Sequence, residues 1–204
     1  MASKEHIVNE SLQLFRKMGI RSVTMDYIAE QLRISKRTLY ELFPKKEDLL
    51  TECLNKIKEM HHQKAQEILS TSEHIIETFI LFMRYHINDM KQFHPMFYYD
   101  LRKYYPEIAC PQTEYFHNQM LINMQKFIEE GKKQGIFRQD IHSEIAAKLL
   151  IEQFKIASNE DLFPYEKYSY AAVFEHISIN FLRGMATVQA IETIEKYYQK
   201  HINL

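Results

Sequence analysis

The sequence has little of what turns and cross-links require. Among 204 residues there are four glycines, five prolines and two cysteines. All-β folds depend on turns, which glycine and proline supply, so their scarcity argues for long helices. Cys53 and Cys110 cannot build a disulfide framework and are not spaced as a CxxC, which excludes a zinc ribbon. Two reduced thiols in a cytoplasmic protein is the simplest reading. No run of about 18 apolar residues occurs, so no membrane-spanning helix and no membrane partner is expected. The opening MASKEHIVNESLQLF lacks the apolar stretch of a secretory signal, and none is expected. Charge of one sign is also lacking: 26 Lys and Arg stand against 27 Asp and Glu, a net charge of -1. That excludes a strongly basic coat for nucleic acid as a whole-chain description, but not a local basic face.

Catalytic signatures are absent as well. There is no Gly-rich phosphate loop, no GxSxG and no HExxH, so no catalytic residue is assigned and no enzyme is expected. The carboxylate pairs Glu129-Glu130 and Glu160-Asp161 read as helix-end charges. Ten histidines offer no chelate: His61 and His62 are adjacent and face different ways, and His86 and His94 are too far apart for an i, i+4 pair. No metal site and no cofactor is assigned.

What is present is a helical pattern in an ordinary globular composition, 46% apolar and 26% charged. Residues 4–18 carry Ile7, Val8, Ser11, Leu12 and Phe15 at three- and four-residue steps, with Gly19 as a stop. Thr24 is an N-cap for a short helix bearing Ile28, Ala29 and Leu32. Ser35 is an N-cap for a third helix, Lys36 to Phe43, which Pro44 interrupts. Glu47 and Asp48 suit the first turn of a fourth helix, expected over about 46–69. From residue 75 the pattern is longer and more apolar, with Ile76, Phe79, Ile80, Met83, Ile87 and Met90 in one stripe. His94-Pro95 and Tyr105-Pro106 punctuate a short aromatic stretch. Further helices are expected from Tyr115 to Glu130 (ended near Gly131 or Gly135), Ser143 to Ser158, Tyr168 to Met185 and Thr187 to Lys200. The expected fold is all-α.

Charge divides along the chain. Residues 1–50 hold nine Lys and Arg against seven Asp and Glu, and residues 33–46 hold Arg33, Lys36, Arg37, Lys45 and Lys46 against Glu41 alone. Two short helices joined by a tight turn, at 24–32 and 36–43, fit a helix-turn-helix. Ile28, Ala29, Leu32, Ile34 and Leu39 can pack inward, which leaves Lys36, Arg37, Thr38, Tyr40 and Glu41 free to point outward. A protruding helix fits the major groove, where Lys and Arg donate to guanine and Thr meets a base edge or a thymine methyl. Tyr40, Lys45 and Lys46 suit phosphates, which fix register without reading sequence.

The run Thr24-Met-Asp-Tyr-Ile28-Ala29, followed by Ser35-Lys36-Arg37-Thr38-Leu39-Tyr40, Phe43 and Lys46-Glu47-Asp-Leu49, resembles the signature of the tetracycline-repressor (TetR) family over about the first 50 residues. Arg33 departs from it, standing where the family often has a glycine in the turn. Lys45 stands where a capping Asn is common, and Leu42 where an aromatic residue or His is frequent. The resemblance implies a helix-turn-helix DNA-binding domain at 1–48, with the fourth helix shared, and a helical ligand-binding and dimerisation domain at 49–204. It implies a homodimeric bacterial transcription regulator, a ligand-responsive repressor on a palindromic operator in double-stranded DNA. The candidate DNA-binding residues are Thr24, Arg33, Ser35, Lys36, Arg37, Thr38, Tyr40, Lys45 and Lys46. A ligand would act by moving the fourth helix and so the spacing of the reading heads. The alternatives are a ligand-independent architectural or cell-division regulator on the same fold and, more distantly, a helical module whose basic head meets an acidic protein.

Two further sets follow from the C-terminal pattern. Aromatic and Met residues concentrate at 93–117 and around it. Met83, Phe93, Met96, Phe97, Tyr115, Phe116, Met120 and Met124 are candidates for lining a pocket for an unidentified apolar or aromatic effector. On two late helices the apolar arc exceeds the roughly 100° that packing on one core requires. The surplus suggests an interface, with Ile145, Leu149, Ile151, Phe174, Ile177, Phe181, Leu182 and Met185 as candidates.

Overall fold

A computed structural model describes residues 3–157, 159, 161–164 and 166–202. Among these residues the chain forms ten α-helices and no strand. They are α1 (Lys4–Met18), α2 (Met25–Gln31), α3 (Lys36–Leu42), α4 (Lys46–Thr71), α5 (Ile75–Met90), α6 (Met96–Tyr104), α7 (Pro106–Lys133), α8 (Ser143–Ile156), α9 (Tyr170–Met185) and α10 (Ile191–Ile202). A single 3₁₀ turn, Val188–Ala190, precedes α10, and one isolated antiparallel bridge pairs Phe137 with Ala186. The fold is all-α, with an N-terminal helix-turn-helix and a helical C-terminal region. No helix among the described residues is long and apolar enough to cross a membrane. The expected end of α8 at Ser158, and Glu160, lie outside the described residues.

Two elements differ from the sequence expectation. The aromatic stretch forms a helix of its own, α6, with Pro95 as its N-cap. Helix α7 begins at Pro106 rather than near Tyr115, because proline is well suited to the first helical position, where its missing N–H is not needed. It runs through Pro111 and past Gly131. Gly131 is not a stop: the Phe137 ring lies so close that a Cβ there would stand 2.1 Å from Cδ2. Termination falls to Gly135 at φ 70. Gly135 N–H donates to Lys132 O at 3.0 Å and Ile136 N–H to Gly131 O at 2.9 Å, a Schellman closure.

The chain packs as two compact units. One comprises the residues up to Glu67 together with Asn88–Thr113, the other Ile68–Ile87 together with the residues from Glu114 onward. The packing therefore does not divide at 48/49: the end of α5, all of α6 and the start of α7 belong with the head. The physical reason lies in α6 and the loop before it. Phe97 is fully buried in the head core with Ile7, Phe15, Ile28, Leu39 and Phe43. Asp100 accepts from Arg21 N–H at 2.9 Å, and His94 N–H donates to Arg16 O at 2.6 Å. Arg16 itself is buried; it pairs with Asp89 at 3.4 Å, donates to Gln92 and lies over the Phe93 ring. Asp89 also meets His61 at 2.9 Å.

The second unit is built on Ile76, Ile80, Ile128, Phe137, Leu150, Leu182 and Ile194. It also encloses a carboxylate. Glu77, on α5, receives Lys200 at 2.7 Å, His201 at 2.9 Å and Glu73 N–H at 3.1 Å. Burial alone raises its pKa, but the hydrogen bonds from Lys200, His201 and Glu73 N–H outweigh it and hold the carboxyl at about 2. A carboxylate depressed on folding stabilises the native state above its unfolded pKa, and that contribution is lost as pH falls through the folded value. For Glu77 the window runs from about pH 4.5 down to about 2, and the contribution is about 3 kcal/mol. Glu77→Gln should therefore be less stable at pH 7 and should lose less stability on acidification. Urea unfolding between pH 7 and pH 2 checks this; parallel profiles for the two proteins would refute it.

Candidate nucleic-acid interface

The helix-turn-helix is assembled from caps and one buried seam. Thr24 Oγ1 accepts from Tyr27 N–H at 3.1 Å and starts α2. Ser35 Oγ accepts from Thr38 N–H at 3.0 Å and starts α3, and the Ser35 and Thr38 hydroxyls stand 2.8 Å apart. Each cap satisfies a donor that the helix cannot. Ile28, Ala29 and Leu39 are buried in the seam, and Leu32 and Ile34 pack against it partly buried.

The opposite side of α3 is open. Lys36, Arg37 and Glu41 are exposed, Thr38 is half-buried, and Tyr40 keeps 44% of its surface exposed. The cations on this face are paired within the head. Lys36 Nζ donates to Asp26 Oδ2 at 2.6 Å, and Arg37 Nε to Glu41 Oε1 at 2.8 Å. The hydrogen bond and charge of Asp26 raise the Lys36 pKa.

Arg33 occupies the turn with φ 54, the one non-glycine at positive φ among the described residues. Its N–H donates to Glu30 O at 3.1 Å, and Ile34 N–H donates to Ala29 O at 3.0 Å. This is the same Schellman closure that Gly135 makes after α7. An arginine adopts the left-handed backbone because those two bonds and the seam leave the chain no other route; Arg33 remains exposed.

Lys45 is exposed, and the cap expected to be weak at this position is supplied from downstream. Asp48 Oδ2 accepts from Lys45 N–H at 3.0 Å, the return half of a capping box. Lys46 departs from the expectation of an outward phosphate contact. Its ammonium donates to Ile20 O and stands over the rings of Phe15 and Tyr105. Burial lowers its pKa, with Asp100 and Glu47 opposing. Its four-carbon stem folds into the head because apolar rings and the Ile20 carbonyl lie within its reach.

The pocket candidates are divided between the two units. Phe93 and Phe97 lie in the head core, 4.8 Å apart ring to ring, which corrects their expected role: their faces are taken by each other, by Tyr98 and by Arg16. Met83 is buried in the core of the second unit, with Met124 against it. Met96, Tyr115, Phe116 and Met120 are exposed. Among the described residues no cluster of three or more His, Cys, Asp or Glu could hold a metal ion.

The interface candidates divide. Ile151, Phe174, Leu182 and Met185 are buried within their own unit, a correction to the expectation that they face outward. A wide apolar arc does not say which of its edges the core takes, and here the core takes these. Ile145 and Leu149 are 56% and 57% exposed, while Ile177 and Phe181 are half-buried. Ile177 and Phe181 line an open groove of about 640 Å³ on α9, with Gln153, Phe163, His176 and Asn180.

Fold and face together define a helix-turn-helix head with an open polar side on α3. Residues 7–53 match the family of bacterial regulatory proteins described as the tetR family. The HTH-type transcriptional regulator YhgD of Bacillus subtilis (strain 168) is 30% identical over 69 residues, a match spanning 34% of this chain and 36% of that protein. A putative transcriptional regulator from Saccharomonospora viridis, solved in complex with choline, superposes with TM-score 0.75 at 18% identity, covering 90% of this chain and 97% of the other. FadR of Thermus thermophilus, a TetR-family repressor solved with lauroyl-CoA, superposes with TM-score 0.59 at 19% identity, covering 91% and 96%. The family match thus falls on the helix-turn-helix, and the neighbours share the all-α fold of the chain.

Sequence reading missed Asp26 as the partner of Lys36, since ten residues and a turn separate them and only the crossing of α2 and α3 joins them. It also missed Arg16, Asp89 and Asp100; the available signal was a charged residue on an otherwise apolar helix face. Arg33 gives the sharpest local test. Arg33→Gly relieves a left-handed backbone at a cost in unfolded-chain entropy, and should stabilise the protein by about 1 kcal/mol. Gly135→Ala should destabilise it. Urea midpoints read both, and an Arg33→Gly variant no more stable than the parent would show the turn to be unstrained.

Proposed function

We propose that the chain is a ligand-responsive repressor that binds a palindromic operator as a homodimer. The observation that carries the proposal is the open polar face of α3, capped by Ser35 and held from behind by buried Leu39. Residues 1–48 carry the DNA-binding motif in this reading, on a head that 88–113 complete, and the effector and dimerisation role falls to the remainder of 49–204. Lys36, Arg37 and Thr38 face the base edges. Tyr40, Lys45 and Arg33 take phosphates, while Thr24 and Ser35 act through their caps. The helix α4 amide end remains available to a phosphate, although the Lys46 ammonium is engaged elsewhere. Two-fold symmetry then sets half-sites about one helical turn apart.

Ile145 and Leu149 on α8 and Ile177 and Phe181 on α9 form the dimer face. The exposure of Ile145 and Leu149, and the open groove that Ile177 and Phe181 line, support this choice. The choline and lauroyl-CoA complexes of structural neighbours support a small effector for this fold. An apolar or aromatic effector fits the Met and aromatic content of residues 83–124. Whatever its identity, it must bind two states of the protein unequally, since equal binding shifts nothing.

Selection from random-sequence duplexes should return a palindrome. Affinity for it should fall by about 10³–10⁵ between 50 and 200 mM salt, as expected for six to ten neutralised phosphates. Tyr40→Phe should weaken all selected duplexes alike, whereas an unchanged affinity would remove the phosphate role. Failure to enrich any sequence would favour a partner other than specific DNA. If the palindrome is enriched but no effector in a thermal-shift screen alters binding, the ligand-independent reading takes over. Leu149→Glu should leave the fold intact and convert the dimer to monomer in sedimentation, with operator affinity reduced by at least about tenfold. A variant that stays dimeric would move the interface elsewhere.

A further inference from the structure

Lys36 is the first residue of α3, and Asp26 lies in the first turn of α2. Their side chains are 65% and 54% exposed, yet meet at 2.6 Å. They close the rim of a hollow of about 480 Å³ that Thr24, Tyr27 and Glu30 also line. Glu30, one turn along α2 from Asp26, adds a second negative charge there. The Arg37–Glu41 pair is different in kind: it runs along one helix, and Arg37 remains 88% exposed.

A free lysine on a reading helix is a flexible point charge that satisfies any phosphate. A lysine tied to a carboxylate is not. A phosphate that takes its ammonium must displace one anion with another, and leaves the freed carboxylate facing the DNA backbone. An ammonium has three donors. With one donor held by Asp26, two remain, and guanine O6 and N7 offer two acceptors in the major groove.

We propose that Asp26 is a specificity-determining residue, which holds Lys36 away from phosphates and presents its remaining donors to a base edge. The proposal rests on the DNA-binding reading above and names a residue that reading does not use. It makes Asp26 work against random DNA and for the correct site.

The test compares wild type, Asp26→Asn, Lys36→Met and the double variant on two duplexes, one recovered by selection and one of random sequence. Both side chains are exposed, so all four proteins should fold, which circular dichroism checks. Asp26→Asn should tighten binding to the random duplex, on the order of tenfold for the two heads of a dimer. It should steepen the log–log salt slope by roughly one per head. The ratio of selected to random affinity should fall, and these effects should vanish in the Lys36→Met background. Glu30→Gln, which removes a charge from the same hollow but not the 2.6 Å contact, should act less. Tightening that persists without Lys36 would reveal a plain field effect and overturn the proposal, as would an unchanged affinity ratio. A wild-type protein that binds neither duplex at low salt overturns the DNA-binding reading itself, before any substitution is compared.

Discussion

The burial of Leu39 is the constraint on which the rest depends. A seven-residue helix has no stability of its own in water, because nucleation fixes several residues for few hydrogen bonds. Helix α3 exists because Leu39 enters the head core and Phe43 follows it, while Ser35 satisfies the first turn. Truncating such a side chain typically costs 2–5 kcal/mol. The polar face of α3 is thus held by an apolar contact on its far side, and the spacing of three residues from Lys36 to Leu39 sets which side chains remain outside.

The head is larger than its motif. Arg16, Asp89, Asp100 and Phe97 show that residues 88–113 complete the core beneath the helix-turn-helix. A buried Arg–Asp pair is rarely a strong stabiliser, but removing one partner leaves an uncompensated charge. The arrangement therefore fixes one packing of α1 against its neighbours rather than adding much to stability. The same loop geometry at Arg33 and Gly135 makes a related point. Hydrogen bonding sets the turn, and the residue either suits it or bears the strain.

The legible parts of the sequence were those governed by local rules. Caps at Thr24 and Ser35, the apolar stripe of α5 and the outward face of α3 all depend on spacings of three and four residues. The illegible parts were decided at a distance. Helix α6 was obscured by the two prolines flanking it, since proline marks a helix start as readily as a stop. Lys46 could point to solvent or inward, and the Ile20 carbonyl with the rings of Phe15 and Tyr105, all distant in sequence, decide it.

The sequence by itself determined an all-α chain with a capped, basic helix-turn-helix at its beginning, because capping, periodicity and charge are properties of neighbours in the chain. Only the tertiary structure decided which arc of α8 and α9 the core takes, that Phe93 and Phe97 belong to the head, and that Asp26 holds Lys36. Each of those depends on how helices cross, and crossing is set by the packing of side chains far apart in sequence rather than by the pattern of any one helix.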